Sequence, residues 1–96
     1  MRFADLIQRQ LTLFRTDFGD LIDACAAAER AYDRAGREEA EERYAEYLEL
    51  VEEGTDALVE IRDTYASTLE EDAADEYVLR FDHEVGRRLP RFALGL

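Results

Sequence analysis

Two seams of mostly apolar residues, spaced alternately four and three apart, run through most of the chain. The first seam is Ile7, Leu11, Phe14, Phe18, Leu21, Cys25, Ala28, Tyr32 and Ala35, and the second is Ala40, Tyr44, Tyr47, Val51, Gly54, Leu58, Ile61, Tyr65 and Thr68. Residues at this spacing line one side of an α-helix. Counted outward from a turn near residues 36–38, each residue of the first seam pairs with a residue of the second seam at about the same distance from the turn. An antiparallel hairpin requires this pairing. The seams therefore predict an all-α fold built on a long helical hairpin, with helices over about 3–35 and 38–67.

Glycines and hydroxyl residues set the expected ends of these helices. Gly19 lies beside the first seam without shifting its phase, so we expect one unbroken helix there. Gly36 is expected to end that helix in the left-handed conformation, which glycine adopts without steric cost. Ser67 and Thr68 each stand three residues before a glutamate, the spacing of a capping box that begins a helix. The second helix should therefore end near residue 67, just before a new one.

A third apolar register follows the second seam. Its members are Ala74, Val78, Phe81, Val85 and Leu89. They predict a shorter third helix over about 72–88, which Pro90 ends because proline cannot continue it. We assign residues 1–89 to a single helical domain and residues 90–96 to a C-terminal tail. At about 1.5 Å per residue, the third helix can cover only the half of the hairpin near the chain termini.

The half of the hairpin beside the turn has apolar residues that no other part of the chain is left to cover. Alanine allows helices to approach closely, and symmetric pairing is the commonest way to cover such a stripe. We therefore predict a homodimer in which two turn halves complete a four-helix bundle. The residues expected at this interface are Ala24, Ala27, Ala31, Tyr44, Tyr47 and Leu48.

The charge of the chain limits its partners. There are 24 acidic residues against 12 arginines and no lysine, so the net charge is -12. A surface this negative repels phosphates, and we expect no nucleic-acid binding. No apolar run approaches the roughly 18 residues of a membrane span, and the single cysteine, Cys25, excludes an internal disulfide. We expect a cytoplasmic protein that does not bind membranes.

Pairs of carboxylates three residues apart recur along the second helix. Such a pair shares one face of a helix and can offer oxygen ligands to a hard cation. The stretch 52–58 resembles the second motif of the all-α nucleotide pyrophosphohydrolases, which hold Mg²⁺ between neighbouring helices. This resemblance implies a Mg²⁺-dependent enzyme as the alternative function. Because the pairs lie on one predicted helix, they could face each other only across a dimer. The ligands of this alternative are Glu39, Glu42, Glu53 and Asp56.

The C-terminal end of the chain, which includes the tail, differs from the rest of the chain in charge. Residues 87–96 contain three arginines, no acidic residue and four large apolar side chains. Two interpretations stay open. The tail could fold back onto carboxylates of its own or a partner subunit, because opposite charges attract. It could instead dock into a groove of another protein through Phe92, Leu94 and Leu96.

Other chemistry has less support in the sequence. Di-iron bundles of the ferritin type use Glu-x-x-His pairs, but the only histidine, His83, follows Arg80 at that spacing. Cys25 lies on the first seam, where cysteine behaves as a small buried hydrophobe. We therefore assign no catalytic residue and no cofactor. The predicted function is that of a non-enzymatic helical assembly or adaptor protein, acting through self-association and protein–protein contacts.

Overall fold

The computed structural model describes residues 2–96, and all of their regular secondary structure is helical, as predicted. In chain order the elements are α1 (Ala4–Asp17), α2 (Gly19–Arg34), α3 (Ala40–Ala66), α4 (Glu71–Arg88) and a 3₁₀ helix (Pro90–Gly95). Together they form an elongated body of 51 × 22 × 19 Å. None of the helices within residues 2–96 combines the length and the apolar character needed to cross a membrane.

The first predicted helix, over 3–35, is two helices, so that prediction is wrong. Phe18 separates α1 from α2, with φ −111° and ψ 25°, outside the α-helical range. The Phe18 N–H still donates to the carbonyl of Phe14 at 2.8 Å, and the two rings stack with centroids 5.0 Å apart. The bend therefore redirects the chain while the backbone hydrogen bonds on either side persist. Gly19, expected inside an unbroken helix, is the first residue of α2.

The bend changes which helices are neighbours. Next to the turn, α2 packs along α3, as the hairpin prediction requires. Beyond the bend, α1 packs against α4, and the far half of α3 packs against α4 and the 3₁₀ helix. The prediction that the first two helices touch along their whole length is therefore wrong for the half that contains α1. Aromatic side chains of α1, α3, α4 and the 3₁₀ helix contact one another in this half.

The hydrophobic core lies in the half of the molecule away from the turn. Its buried members are Ile7, Leu11, Phe14, Cys25, Leu58, Tyr77, Phe81, Val85, Leu89 and Phe92. Tyr77 is the largest side chain that is fully buried. Its ring centroid lies 5.4 Å from that of Phe3 and 4.8 Å from that of Tyr65, and its hydroxyl donates a 2.8 Å hydrogen bond to Oε1 of Gln10. Tyr77 thus joins α1, α3 and α4.

The first half of α4 is one residue out of the predicted register. Ala73 and Tyr77 are buried, whereas Ala74 and Val78, expected inside, are only half-buried. The later members Phe81, Val85 and Leu89 are buried, as predicted. A tyrosine can take a core position here because Gln10 satisfies its hydroxyl.

Two of the expected helix ends are also wrong. α2 ends at Ala35 in an extended conformation, and no glycine of residues 2–96 has a positive φ, so Gly36 is not a left-handed cap. Ser67 and Thr68 do not cap α4. Their hydroxyls each donate a 2.7 Å hydrogen bond back to a carbonyl of α3. They satisfy carbonyls that the end of a helix leaves without donors of its own.

Candidate functional site

The 3₁₀ helix attaches the tail to α3 at a notch made by two small residues. A Cβ placed on Gly54 would lie only 2.9 Å from Cδ1 and Cζ of the Phe92 ring and would collide with a third ring atom. The neighbouring Thr55 is buried, and its hydroxyl donates to the carbonyl of Val51 at 2.9 Å and lies 3.4 Å from the carbonyl of Phe92. A Cβ on Gly95 would collide with the methyl group of Thr55. The tail therefore fits the notch closely.

A charged contact holds the tail beside α2. Nη1 of Arg91 donates a 3.0 Å hydrogen bond to the Tyr47 hydroxyl, and its guanidinium carbon lies 5.5 Å from the centroid of that ring. Nη2 of Arg91 is 3.4 Å from a carboxylate oxygen of Glu29. In the structure the tail folds back onto its own subunit, which is one of the two interpretations that the sequence left open.

The three residues predicted to dock into a partner have different environments. Phe92 is 2% exposed and packs edge-on against Phe14, with centroids 5.8 Å apart. It is a core residue and is not presented to a partner. Leu94 is fully exposed, and Leu96 is half-buried against the core. Only Leu94 of the three is freely presented to a partner.

The side of the hairpin that faces the tail, which we call the tail side, is defined by contacts. On α2, Glu29 pairs with the tail, and Ile22 shares a surface groove with Phe92. On α3, Thr55 contacts the tail. Residues seven apart lie almost on the same side of a helix. Leu48, seven before Thr55, therefore belongs to the tail side as well.

The opposite side, which we call the open face, is formed by Ala24 and Ala31 of α2 and Leu50 and Ala57 of α3. Each of these residues comes one position before a seam residue, whereas each tail-side residue comes one position after a seam residue. The two sets therefore lie on opposite sides of the seam. All four are half-buried. The structure therefore divides the predicted dimer interface, with Ala24 and Ala31 on the open face and Leu48 on the tail side.

The other predicted interface residues lie near the turn. Ala27 is exposed, and Tyr44 is 45% exposed. The ring centroid of Tyr44 lies 5.2 Å from that of Tyr32 and 6.3 Å from that of Tyr47. Tyr47 is half-buried beneath the guanidinium of Arg91, so part of its surface is already covered by the tail.

The turn half has no core of its own. From residue 26 to residue 53, every residue is exposed or half-buried. Cys25 and Gly54, which bracket this stretch, are the last buried residues toward the turn. We call the stretch 26–53 the tip. Its two helices pack on each other, and apart from the contacts of Arg91 with Tyr47 and Glu29 on the tail side, no other element of the described chain packs along them.

A shallow groove continues the open face toward the chain termini. It has a volume of about 490 Å³. Its walls are α1 and the far half of α3, which the bend at Phe18 has separated. The lining residues are Gln10, Phe18, Ala57, Glu60, Ile61, Thr64, Tyr65 and Thr68. An apolar surface thus runs along the open face from the tip to this groove.

The acidic residues of the metal-binding alternative do not converge. Glu39, Glu42, Glu53 and Asp56 are all exposed along one helix and the residue before it. At about 1.5 Å per residue, Glu39 and Asp56 are roughly 25 Å apart. Among residues 2–96, no group of three or more His, Cys, Asp or Glu side chains is arranged to hold a metal ion. His83 is exposed on α4.

The sequence reasoning missed Tyr77, Gln10 and Thr55, which hold the helices and the tail together. A signal existed for Thr55, because Gly54 and Thr55 are the only two consecutive small residues in α3. Cys25 is buried, as predicted, and burial raises the pKa of its thiol, which disfavours the reactive thiolate. No family model, curated protein or solved structure matches this chain.

Proposed function

We propose that this protein is a non-enzymatic helical assembly or adaptor protein, and that it acts as a homodimer formed through the open face. The observation that carries the proposal is the tip, where 28 consecutive residues form two packed helices without one buried side chain. The tip buries little apolar surface, and helical stability comes mainly from tertiary packing. A second copy would supply the missing cover.

The composition of the open face supports this choice of surface. Ala24 and Ala31 are small, so the axis of a partner helix can come close to α2. Leu50 and Ala57 add apolar surface on α3, and both already contact the core with one side. The tail side is less suitable, because Arg91 and Glu29 place charges there. Two copies joined by their open faces would form a four-helix bundle around the α2–α3 pairs.

Light scattering on two matched variants tests the proposal. Ala31→Glu places a charge in the open face, and Leu48→Glu places the same charge on the tail side, where the leucine is 44% exposed. We expect wild type and Leu48→Glu to have twice the mass of one chain, whereas Ala31→Glu has the mass of a single chain. Far-ultraviolet circular dichroism would check that each variant is still helical.

Three other outcomes would contradict the proposal. A wild type that is monomeric at every concentration tested would remove self-association. An Ala31→Glu variant that remains a dimer would remove the open face as its surface. Dissociation by Leu48→Glu alone would move the interface to the tail side.

A further inference from the structure

We propose that the groove between α1 and α4 binds an amphipathic carboxylate, meaning a carboxylate group attached to an alkyl chain. The groove lies on a different part of the molecule from the open face and has a volume of about 580 Å³. Small-molecule sites commonly fall between about 300 and 1,000 Å³. Its lining residues are Ala4, Ile7, Gln8, Leu79, Arg80, His83, Glu84, Arg87 and Arg88.

The charge of this groove is opposite to that of the protein. Three arginines and one glutamate line it, in a chain whose net charge is -12. Glu84 is 3.2 Å from Nε of Arg87 and 3.0 Å from Nε of Arg88, and these contacts lower the pKa of the Glu84 carboxyl. Its carboxylate therefore orients both guanidinium groups at the rim. The local excess of positive charge favours an anion.

The donors of Arg87 and Arg88 fit a carboxylate. A guanidinium group has five N–H donors in a planar fork, and carboxylates bind such forks through two parallel hydrogen bonds. Glu84 takes one donor of Arg88 and two of Arg87. Further donors of each side chain remain at the rim, where Arg87 is 61% exposed. This arrangement leaves room for a second carboxylate beside Glu84.

The walls of the groove supply the apolar half of the site. Leu79 is 73% exposed, although it belongs to a helix whose opposite side is the core. On α1 the apolar lining residues are Ala4, which is exposed, and Ile7, which is almost fully buried. An exposed leucine beside arginines fits a ligand with an apolar chain and an anionic head. An inorganic anion would leave Leu79 unused, and an alcohol would leave the arginines unused.

The sole histidine offers a direct measurement, because His83 lines the groove. We expect octanoate to shift the NMR signals of the His83 ring protons in a saturable way. Acetate and octanol, which each lack one half of the ligand, should bind about tenfold more weakly or worse, since a hydrogen bond to a charged group or a buried alkyl chain contributes at least that factor. Octyl phosphate distinguishes a carboxylate site from a general anion site, and tighter binding of octyl phosphate than of octanoate would overturn the assignment to carboxylates.

Matched variants locate the site. Leu79→Ser and Arg87→Gln change exposed side chains, so both should fold, and each should weaken octanoate binding about tenfold or more. The controls are Leu13→Ser, at a leucine that is 59% exposed on α1, and Arg43→Gln, at an arginine that also pairs with a glutamate three residues away. Both controls should bind as the wild type does. Unshifted His83 signals, or equal loss of binding in the controls, would overturn the proposal.

Discussion

The ring of Phe92 occupies the space that a side chain at Gly54 would need. This relationship joins a residue of the tail to the middle of α3, 38 positions earlier in the chain. The hydrophobic core therefore includes a residue of the tail, a segment for which the sequence left open both a folded-back and a docking position. Glycine at position 54 allows the Phe92 ring to approach the helix closely. It is not needed for unusual backbone angles, because the backbone there is ordinary helix.

The first prediction concerns the two glycines within α3 and α4. Replacing a helical glycine by alanine usually stabilises a protein by about 0.5–1 kcal/mol. Gly86→Ala should follow this rule, because a Cβ there would meet no side chain or other segment within 4 Å beyond its immediate neighbours. Gly54→Ala should instead lower the free energy of unfolding by about 1–3 kcal/mol, because the methyl group collides with Phe92. Urea unfolding of both variants measures this difference in sign, and a stabilised Gly54→Ala would show that the notch is not closely packed.

The second prediction separates a core tail from an exposed one. Phe92→Ala should lower the free energy of unfolding by about 3–5 kcal/mol, the usual cost of truncating a buried phenylalanine. Leu94→Ala, two residues later at a fully exposed position, should change it by no more than about 0.5 kcal/mol. Chemical denaturation provides both values. Equal and small effects would mean that the tail does not contribute to the core in solution.

The third prediction concerns alkaline pH. Burial raises the pKa of Tyr77 to about 12, whereas a tyrosine in the unfolded chain titrates near 10. The folded state therefore favours the neutral phenol, and this contribution is complete below about pH 10 and is lost as the pH rises towards 12. Over that range the wild type should lose roughly 2 kcal/mol more stability than Tyr77→Phe does.

The same variant has an opposite effect at neutral pH. Tyr77→Phe removes the hydrogen bond to Gln10 and should cost about 0.5–1.5 kcal/mol. The stability curves of wild type and variant should therefore cross between about pH 10 and 12. Unfolding by urea, measured at intervals of pH, follows both curves, and the absence of lysine keeps this range free of ammonium titration. Parallel curves would contradict the burial of the Tyr77 hydroxyl.

The fourth prediction tests the Mg²⁺-dependent alternative. A cation that binds only the folded protein raises its melting temperature. Because the four proposed ligand residues are spread along one exposed helix face, we expect about 10 mM MgCl₂ to leave the melting temperature unchanged once ionic strength is matched with NaCl. A rise that disappears in Glu53→Gln would favour the enzyme instead.

The spacing of apolar residues predicted where individual helices run. The second helix was expected over 38–67 and is Ala40–Ala66, and the third was expected over 72–88 and is Glu71–Arg88. The same spacing could not predict the bend at Phe18. Phe18 keeps its place in the seam, so a change of backbone angle at one residue leaves the spacing of apolar residues intact.

The candidate surfaces were only partly predictable for a similar reason. The turn half has no buried residue, and the third helix is too short to reach it, as expected from its length. The division of its apolar residues between two sides depends on where the tail lies, and the tail reaches its position through contacts such as Arg91 with Tyr47, which are 44 residues apart. Contacts over such distances in sequence leave no periodic pattern.

The two ends of this 51 Å body should differ in local stability. Opening the tip exposes little that was hidden, so its backbone amides should exchange with solvent in small, frequent fluctuations. Amides near Tyr77 and Phe81 should exchange only when most of the molecule unfolds, since three helices enclose those rings. A partner that binds along the tip would slow the hydrogen exchange of the tip amides first. Amide protection measured along the chain would therefore detect binding at the tip even when the overall shape does not change.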